Sequence, residues 1–454
     1  MKYKRVHFIA IGGSVMHNLA LALHDNGIDV SGSDDNFYEP SKSRLDSKGL
    51  LPSQTGWDAS RISEDLDAVI LGMHAKKDNP ELLKAQELGL TIHSFPSFIF
   101  EQSLNKQRVV IAGSHGKTTI TAMILHVLKF LGRPFDYAVG AQLKGFDNMV
   151  RLSDAPIIII EGDEYLSSPI DAKPKFLNYH HHVGMVSGIS WDHYNVFPNK
   201  NVYAEQFDAF ADKTPKAGTL IYNQEDDLAT VICAKERADV TALPYKAHPY
   251  KIENGKTYLE TEDKMIPVKI FGHHNMQNLA CAKVLLNRIA VMDDVFYEAI
   301  QSFEGAAKRM ELLAESSKTL VYKDYAHAPS KLSATVHALK NQYKDRQIVG
   351  CLELHTFSSL NKKFLHQYKN TFDLADHPYI YLNPQNLENK NLENVDEKEI
   401  RENFANDRIR VFTKIEDLRN ELLSLDWDDK VLIMMSSGNF DGLDLEELAK
   451  TIIN

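Results

Sequence analysis

The stretch Val109-Val110-Ile111-Ala112-Gly113-Ser114-His115-Gly116-Lys117-Thr118-Thr119 decides the fold of the central part of the chain. Its β-branched start predicts a buried strand, and the apolar positions from Ile120 to Leu131 repeat at helical spacing. A glycine-rich turn between a strand and a helix lets backbone N–H groups converge on phosphate oxygens. Lys117 adds a cation and Thr118 a hydroxyl ligand for Mg²⁺, so we predict a phosphate-binding loop, shorter by two residues than the common one. The alternative, a tight glycine turn before a helix, requires neither side chain.

Acidic residues and a histidine follow two further strand-like stretches. The apolar run Ile157 to Ile160 predicts a strand buried on both faces, and it ends in Glu161-Gly162-Asp163-Glu164. A later stretch leads to Asp192-His193. Because Mg²⁺ prefers oxygen ligands and phosphates gather at strand ends, we predict a metal site there. The alternative is that the acids cap a helix and that His193 is structural.

The first hundred residues predict a Rossmann-like domain. Strands are predicted at Val6 to Ile11, Asp29 to Gly32 and Ala68 to Gly72, and a helix at Val15 to His24 separates the first two. Such alternation implies a parallel sheet whose ligand lies at the carboxyl ends of the strands. Gly12-Gly13 followed by Asp34 imitates a dinucleotide turn, but Ala10 and Val15 stand where glycines belong. A nicotinamide cofactor is therefore weakly supported, and a nucleotide diphosphate remains open.

The last third of the chain repeats the α/β pattern. Its strands are predicted near 320–323, 348–354, 379–382, 409–412 and 431–435, and the Asn-rich stretch from Asn383 to Asn394 is predicted to be a surface excursion. We therefore predict an α/β protein of three domains, each built on a mostly parallel sheet: Rossmann-like over 1–105, a phosphate-loop ATPase over 106–304, and Rossmann-like over 305–454.

Composition narrows the classes of partner. With 43% apolar and 25% charged residues, the chain is ordinary globular protein, and its net charge of −11 disfavours nucleic acid and anionic membranes. Its cysteines, Cys233, Cys281 and Cys351, match neither a disulfide framework nor a zinc motif. No apolar run approaches the ~18 residues of a membrane span. Gly12-Gly13 interrupts the only signal-like stretch, so we expect a cytoplasmic protein.

Taken together, the motifs resemble the Mur ligase family, the ATP-dependent amide-forming enzymes of peptidoglycan synthesis. The resemblance covers nearly the whole chain, in family order. Its pieces are Ile11–Ser14, Ser31–Asp34, Gly113–Thr119, Glu161–Tyr165, Asp192-His193, Gly272–Asn275 with Asn278, Lys308–Glu311 and Asp324–His327.

The resemblance implies three sites with assigned residues. A UDP-sugar would bind Gly12, Gly13, Ser14, Asp34 and His74. ATP, as a substrate, would bind Gly113, Ser114, His115, Gly116, Lys117, Thr118, Thr119, Asn275, Asn278, Arg309 and Asp324. Mg²⁺ would bind Thr118, Glu164 and His193, and the catalytic residues would be Lys117, His193 and Arg309. The partners implied are small molecules only, with the oligomeric state left open.

Two features bear on the acceptor. The stretch Tyr203 to Phe207 lacks the carbamylated lysine of several family members, as do the members specific for UDP-N-acetylmuramate. Tyr165 and the stretch Asn195 to Pro198 are similar to members that attach the tripeptide L-alanyl-γ-D-glutamyl-meso-diaminopimelate. Members that add L-alanine usually have serine at the position of Tyr165.

Acceptor-binding loops are predicted to follow strands of the third domain, at His355, Ser358, Ser359, Ser436, Ser437 and Asn439. Their alternative is polar loops without a ligand. L-Alanine remains open as the acceptor, and so does a non-catalytic sensor of UDP-sugar or ATP.

Overall fold

A computed structural model describes residues 2–194, 196–306 and 309–453. Two compact units divide the chain. The first contains the residues up to Ile189, Ala204–Tyr245 and Val284–Arg288; the second contains Ser190–Tyr203, Lys246–Lys283 and the residues from Ile289 onward. In the described residues, no helix combines the length and the apolar character that a membrane span needs.

The first unit begins with a four-stranded parallel sheet of the predicted Rossmann-like kind. Its strands, in the order β2-β1-β3-β4, are β1 (Arg5–Ile9), β2 (Asp29–Ser33), β3 (Ala68–Leu71) and β4 (Ile92–Ser94). The helices are α1 (Ser14–Asp25), α2 (Ser41–Asp46), α3 (Pro80–Glu87) and α4 (Phe95–Gln102). The predicted strands and the first helix are confirmed to within two residues of their ends.

A seven-stranded sheet follows, in the order β13-β12-β11-β5-β8-β6-β7. Its strands are β5 (Gln107–Ala112), β6 (Asp136–Ala138), β7 (Val150–Arg151), β8 (Ile157–Glu161), β11 (Val183–Val186), β12 (Thr219–Asn223) and β13 (Thr241–Tyr245), and β9 (Leu166–Ser168) pairs separately with β10 (Asp171–Pro174). All neighbours are parallel except β6 and β7. Helices α5 (Lys117–Phe130), α6 (Lys200–Asp212) and α7 (Asp227–Cys233) accompany it. Because β5 lies between β8 and β11, its carboxyl end adjoins the ends of both.

The second unit contains an antiparallel sheet that we did not predict. It consists of β14 (Tyr250–Glu253), β15 (Lys256–Glu260) and β16 (Met265–Val268), and α8 (His273–Arg288) and α9 (Asp293–Ile300) follow it along the chain. The turn between the first two strands is Asn254-Gly255, with φ of 51° and 72°. Two positive φ angles in a two-residue loop match the right-handed twist of paired strands, which favours a hairpin here.

A six-stranded sheet completes the second unit, in the order β17-β18-β22-β19-β20-β21. Its strands are β17 (Glu311–Glu315), β18 (Thr319–Asp324), β19 (Gln347–Glu353), β20 (His377–Tyr381), β21 (Arg410–Phe412) and β22 (Lys430–Met435), of which only the edge strand β17 runs antiparallel. The helices are α10 (Pro329–Gln342), α11 (Lys362–Leu365), α12 (Pro384–Asn389), α13 (Glu397–Phe404), α14 (Ile415–Ser424) and α15 (Leu445–Ile453). The predicted strands of this region are confirmed.

The stretch from Asn383 to Asn394, predicted to be a surface excursion, lies mostly at the surface and contains a short helix, α12, that was not predicted. The Asn383 side chain accepts a hydrogen bond from the Gln385 N–H at the start of this helix, and Pro384 occupies its first position. Leu387 is buried in the core of the sheet. A capped start and one apolar anchor are enough to order a short polar segment.

A buried carboxylate joins the parts of the first sheet. Glu81 on α3 is fully buried and accepts hydrogen bonds from the Ser33 hydroxyl of β2 and from the Asp58 N–H at 2.9 Å. The Nε2 atom of His7 on β1 lies 3.3 Å from the Glu81 carboxylate, and Arg61 pairs with it at 3.6 Å. One side chain therefore links two strands, a helix and a loop.

Replacing Glu81 with alanine should weaken this sheet, because several buried donors lose their acceptor at once. We expect a loss of about 3 kcal/mol in local stability, measured as faster hydrogen–deuterium exchange of β1 and β2 amides. Glu87→Ala, on the exposed side of the same helix, removes only a surface pair with Lys84 and should change exchange by less than about 0.5 kcal/mol. Equal exchange in the two variants would contradict this account of Glu81.

Candidate functional site

The predicted phosphate loop follows β5 and packs closely on the end of β11. Gly113 has φ of 121°, and a Cβ atom there would lie 2.1 Å from Ser187 Oγ. Gly116 has φ of 77° and directly precedes α5, whose start carries no side-chain cap in the described residues. Gly113 therefore cannot carry a side chain, Gly116 has a backbone conformation that favours glycine, and the backbone N–H groups at the start of the helix remain available to an anion.

The loop's other predicted members hold its shape. Ser114 N–H donates to Gly188 O at 3.0 Å, and the Ser187 hydroxyl donates to the carbonyl of His115. Thr119 is buried in the first turn of α5.

Lys117 places its ammonium between the loop and the end of β8. Its Nζ donates to Gly113 O at 2.6 Å and to Glu164 Oε2 at 2.7 Å. Burial alone would lower the pKa of Lys117, but Glu164, Asp163 and Glu161 outweigh it and raise the pKa. The side chain is therefore a fixed cation at neutral pH, as binding of a phosphoryl group requires.

Thr118 contacts an acid that we did not single out as a site residue. Its Oγ1 donates to Glu161 Oε1 at 2.5 Å, while Gly140 N–H donates to Glu161 Oε2 at 2.9 Å. The hydroxyl proton is thus directed away, which leaves the Thr118 oxygen lone pairs for a cation. The sequence signal for Glu161 was its place at the end of the all-isoleucine strand, and that signal does not distinguish a ligand from a helix cap.

The donor set of this site fits Mg²⁺ and a nucleotide phosphate. The Thr118 hydroxyl and the carboxylates of Glu161 and Glu164 supply hard oxygen ligands. Asp163 pairs with Lys175 at 2.6 Å; burial favours its neutral form, but Lys175 outweighs this and lowers the pKa of Asp163. Charged acids and a lysine beside a helix start are what a metal-bound phosphate requires.

The second unit contains the remaining predicted nucleotide residues. The amide nitrogen of Asn278 donates to Asn275 Oδ1 at 3.3 Å, and that of Asn275 donates to Phe271 O at 2.9 Å. The Arg309 guanidinium lies 4.4 Å from the centre of the Tyr325 ring, and Asp324 accepts from the N–H groups of Met310 and Ala326. Lys308, part of the same motif, lies outside the described residues.

Asp192 and His193, in this unit, form a charged turn. His193 N–H donates to Asp192 Oδ1 at 2.7 Å, and Lys331 pairs with Asp192 at 3.6 Å. Burial would raise the pKa of Asp192, but Lys331, His193 and His327 together lower it to about 2. Asp192 is therefore ionised. Glu164 and His193 belong to different units, and their joint binding of a metal stays a prediction.

At the amino-terminal turn, the predicted UDP-sugar residues are brought together only in part. Gly12 N–H donates to Asp34 Oδ2 at 2.8 Å, and the Ser14 hydroxyl donates to Gly140 O at 3.3 Å. His74 is exposed on the segment after β3. Burial raises the pKa of Asp34 to about 6, and the Asp35 carboxyl adds to the rise, while hydrogen bonds from the N–H groups of Gly12 and Asp35 oppose it.

The predicted acceptor loops follow β19 and β22, which are neighbours. Ser359 is fully buried and its hydroxyl donates to Thr356 O, so it holds the turn; Ser358 is buried as well. His355 is partly exposed and Asn439 is exposed. The Ser436 hydroxyl donates to Glu353, a buried acid that ends β19 and that we also missed.

The raised pKa of Asp34 predicts a pH effect on stability. The Asp34 carboxyl binds its proton more tightly in the folded chain than in the unfolded chain. Its stabilising contribution to the free energy of unfolding is therefore lost as the pH rises from about 4 to about 6. The free energy of unfolding of Asp34→Asn minus that of the wild type should therefore be about 1 kcal/mol larger at pH 7.5 than at pH 5.0. Urea unfolding at both pH values measures it. Asp46→Asn, at an exposed position, is the control, and a difference for Asp34→Asn that is independent of pH would contradict the assignment.

Comparisons with known proteins identify the family of the chain. Family models match along the chain: "Mur ligase family, catalytic domain" over residues 5–106, "Mur ligase middle domain" over 111–286, and "Mur ligase, glutamate ligase domain" over 308–438. The UDP-N-acetylmuramate–L-alanine ligase of Caldicellulosiruptor bescii is 30% identical, with 81% of each chain covered.

Relatives of the other acceptor type match as well. The UDP-N-acetylmuramate–L-alanyl-gamma-D-glutamyl-meso-2,6-diaminoheptandioate ligase of Haemophilus influenzae is 29% identical, covering 75% of this chain and 77% of that protein.

The structure of the UDP-N-acetylmuramate–alanine ligase of Thermotoga maritima superposes with a TM-score of 0.69 at 18% identity, covering 99% of this chain and 98% of that one. The chain therefore belongs to the Mur ligase family, the ATP-dependent amide-bond-forming ligases of peptidoglycan synthesis, and has their three-domain fold.

Proposed function

We propose that this ligase joins the lactyl carboxylate of UDP-N-acetylmuramate to the free amine of an acceptor through an acyl phosphate. The observation that carries the proposal is the pair of contacts at the phosphate loop: Lys117 with Glu164, and Thr118 with Glu161. These contacts fix a cation and a metal-ligand hydroxyl beside a helix start, which is an arrangement for phosphoryl transfer. A sensor needs only affinity, so the charged set around Lys117 favours an enzyme.

The proposed reaction has two steps. A carboxylate oxygen of the sugar attacks the γ-phosphorus of ATP, and the bond to the bridging oxygen of ADP breaks. The acceptor nitrogen then attacks the carbonyl carbon of the mixed anhydride, phosphate leaves, and the nitrogen loses a proton. Phosphorylation is needed because a carboxylate is a poor electrophile, and no side-chain nucleophile takes part.

Positioning and charge neutralisation are the contributions of the protein. Lys117 holds the transferring phosphoryl group, and Thr118, Glu164 and His193 are the proposed ligands of Mg²⁺, which supplies charge neutralisation on the phosphate oxygens. Asn275 and Asn278 are proposed to bind adenine, and Arg309 and Asp324 to bind ATP. Gly12, Gly13, Ser14, Asp34 and His74 are the proposed UDP-sugar residues.

As acceptor we propose the tripeptide L-alanyl-γ-D-glutamyl-meso-diaminopimelate. Tyr165 stands where L-alanine-adding members usually have serine, and polar residues at the ends of β19 and β22 suit a long, charged ligand. The motif residue Asn195 lies outside the described residues. L-Alanine is the second candidate, because relatives that carry that activity match at 30% identity and over most of the chain.

Lys117→Ala should abolish ATP-dependent ligation while ATP and the UDP-sugar are saturating. We expect a loss of about 10³-fold or more, because the charge that faces the transferring phosphoryl group is removed. Lys129→Ala, near the end of the same helix, removes an exposed lysine whose partners among the described residues are the Gly145 carbonyl and the Phe146 ring, and should ligate normally. Phosphate release in a coupled assay measures both.

The Glu164 carboxylate loses its lysine in Lys117→Ala, so some thermal destabilisation is expected. The double variant Lys117→Ala/Glu164→Gln relieves that buried charge and should still be inactive. Near-normal turnover by either folded variant would contradict the phosphate-loop assignment.

The tripeptide should be preferred to L-alanine by about a hundredfold or more in kcat/KM. Hydrogen bonds to a charged ligand contribute ~1.5–3 kcal/mol each, so two additional contacts reach this ratio. The measurement compares both acceptors at saturating ATP and UDP-N-acetylmuramate. A preference for L-alanine would retain the acyl-phosphate mechanism and replace the proposed acceptor with the second candidate.

A further inference from the structure

Two buried side chains of α1 hold the carbonyl groups at the start of that helix. The Nδ1 atom of His17 lies 2.9 Å from Gly13 O. The side-chain amide of Asn18 donates to Ser14 O at 2.7 Å, and both side chains belong to residues that are 3% exposed. Because a trans peptide group directs its N–H opposite to its C=O, fixing these carbonyls also fixes the N–H groups of Ser14 and Val15, at the end of the helix where anions bind.

The Arg44 guanidinium, on α2, joins these two side chains. Its Nη1 atom donates to Asn18 Oδ1 at 2.7 Å and lies 3.1 Å from His17 Nε2. Burial lowers the pKa of His17, the hydrogen bond to Gly13 O opposes this, and the charge of Arg44 adds to the fall. The imidazole is therefore neutral at pH 7, with Nδ1 as the donor to Gly13 and Nε2 as the acceptor from Arg44.

The other side of the guanidinium reaches the loop before β7, an edge strand of the seven-stranded sheet. Its Nη2 atom donates to Asp147 O at 2.8 Å and to Asn148 Oδ1 at 3.2 Å. The Asn148 side chain donates to Asn18 O at 2.9 Å, and Met149 N–H donates to Asn18 Oδ1 at 3.1 Å. One forked cation therefore ties α1 and α2, which accompany the four-stranded sheet, to the edge of the seven-stranded sheet.

The same edge leads to the phosphate loop. Val139 N–H donates to Met149 O at 2.9 Å, and the next residue is Gly140. Gly140 accepts a hydrogen bond from the Ser14 hydroxyl and donates one to Glu161, the acid that binds the hydroxyl of the phosphate loop. All of these residues belong to the first unit. The start of α1 and the phosphate loop therefore share one hydrogen-bonded framework.

We propose that Arg44 is a positioning residue that fixes the start of α1 relative to the phosphate loop. This inference rests on the proposed function, in which the UDP-sugar binds at the start of α1 and its carboxylate attacks the γ-phosphorus of ATP. The role of Arg44 is indirect. Through His17 and Asn18 it orients the N–H groups of the helix start, and through Asp147 and Asn148 it holds that start against the seven-stranded sheet.

Arg44→Met keeps most of the apolar stem and removes the forked donor. The KM for UDP-N-acetylmuramate should rise about 10-fold and kcat should fall several-fold, because the sugar is bound less tightly and aligned less well, while the KM for ATP stays unchanged. Lys42→Met is the matched control, because Lys42 is an exposed cation of the same helix. It should leave all three constants at the wild-type values.

Asn148→Ala tests the link to the seven-stranded sheet. If Arg44 acts through this contact, the effects of Arg44→Met and Asn148→Ala on kcat/KM for the UDP-sugar are not multiplicative, and the double variant is little worse than Arg44→Met alone. Fully multiplicative effects would overturn the positioning role across this junction.

An unchanged KM for the UDP-sugar in folded Arg44→Met, with or without a lower melting temperature, would show a structural role only and overturn the inference. Should Arg44→Met fold poorly, Arg44→Lys retains the charge but not the fork, and its KM for the UDP-sugar should still rise several-fold. A wild-type KM in Arg44→Lys would then overturn the inference. These results leave the proposed function intact, whereas calorimetry that detects no binding of UDP-N-acetylmuramate to the wild type would overturn the proposed function and the inference with it.

Discussion

The ion pair between Lys117 and Glu164 is the interaction on which the proposed nucleotide site depends. It spans 2.7 Å between the loop after β5 and the acids after β8, and both side chains are nearly buried. A buried pair of this kind is stable only when neighbouring groups satisfy the remaining donors and acceptors. The carbonyl of Gly113 does so for the lysine, and the strand order β11-β5-β8 brings the parts into contact.

Much of the fold follows from local sequence, because apolar runs of fixed length between glycines leave few alternatives. The loop after Ala112, the strand of isoleucines and the strands of the last domain are of this kind. The antiparallel hairpin at Asn254-Gly255 had a turn signal, but its flanking strands are half polar and short, so the pattern alone does not stand out. Helix α12 was missed because it has a single buried apolar residue, Leu387, and one residue does not form a detectable helical repeat.

Candidate site residues that belong to a sequence motif could be predicted. Residues whose importance depends on a contact between elements distant in sequence could not. Lys117 and Thr118 were predicted from the spacing of the motif, and the structure places them against Glu164 and Glu161. Glu161 and Glu353 were not, because an acid at a strand end is as often a cap as a ligand, and only the folded chain shows what its two oxygens contact. In each case a strand-end carboxylate accepts a hydrogen bond from a hydroxyl that is distant in sequence: Thr118 of α5 for Glu161, and Ser436 after β22 for Glu353.

The central claim, an acyl phosphate, is tested most directly by isotope transfer. UDP-N-acetylmuramate labelled with ¹⁸O in its carboxylate is incubated with the enzyme, ATP and acceptor, and the released phosphate is analysed by mass spectrometry. The account predicts one ¹⁸O atom in the phosphate for each amide formed, because the carboxylate oxygen that attacks phosphorus leaves with it. Amide formation with unlabelled phosphate, or with AMP as the nucleotide product, would contradict it.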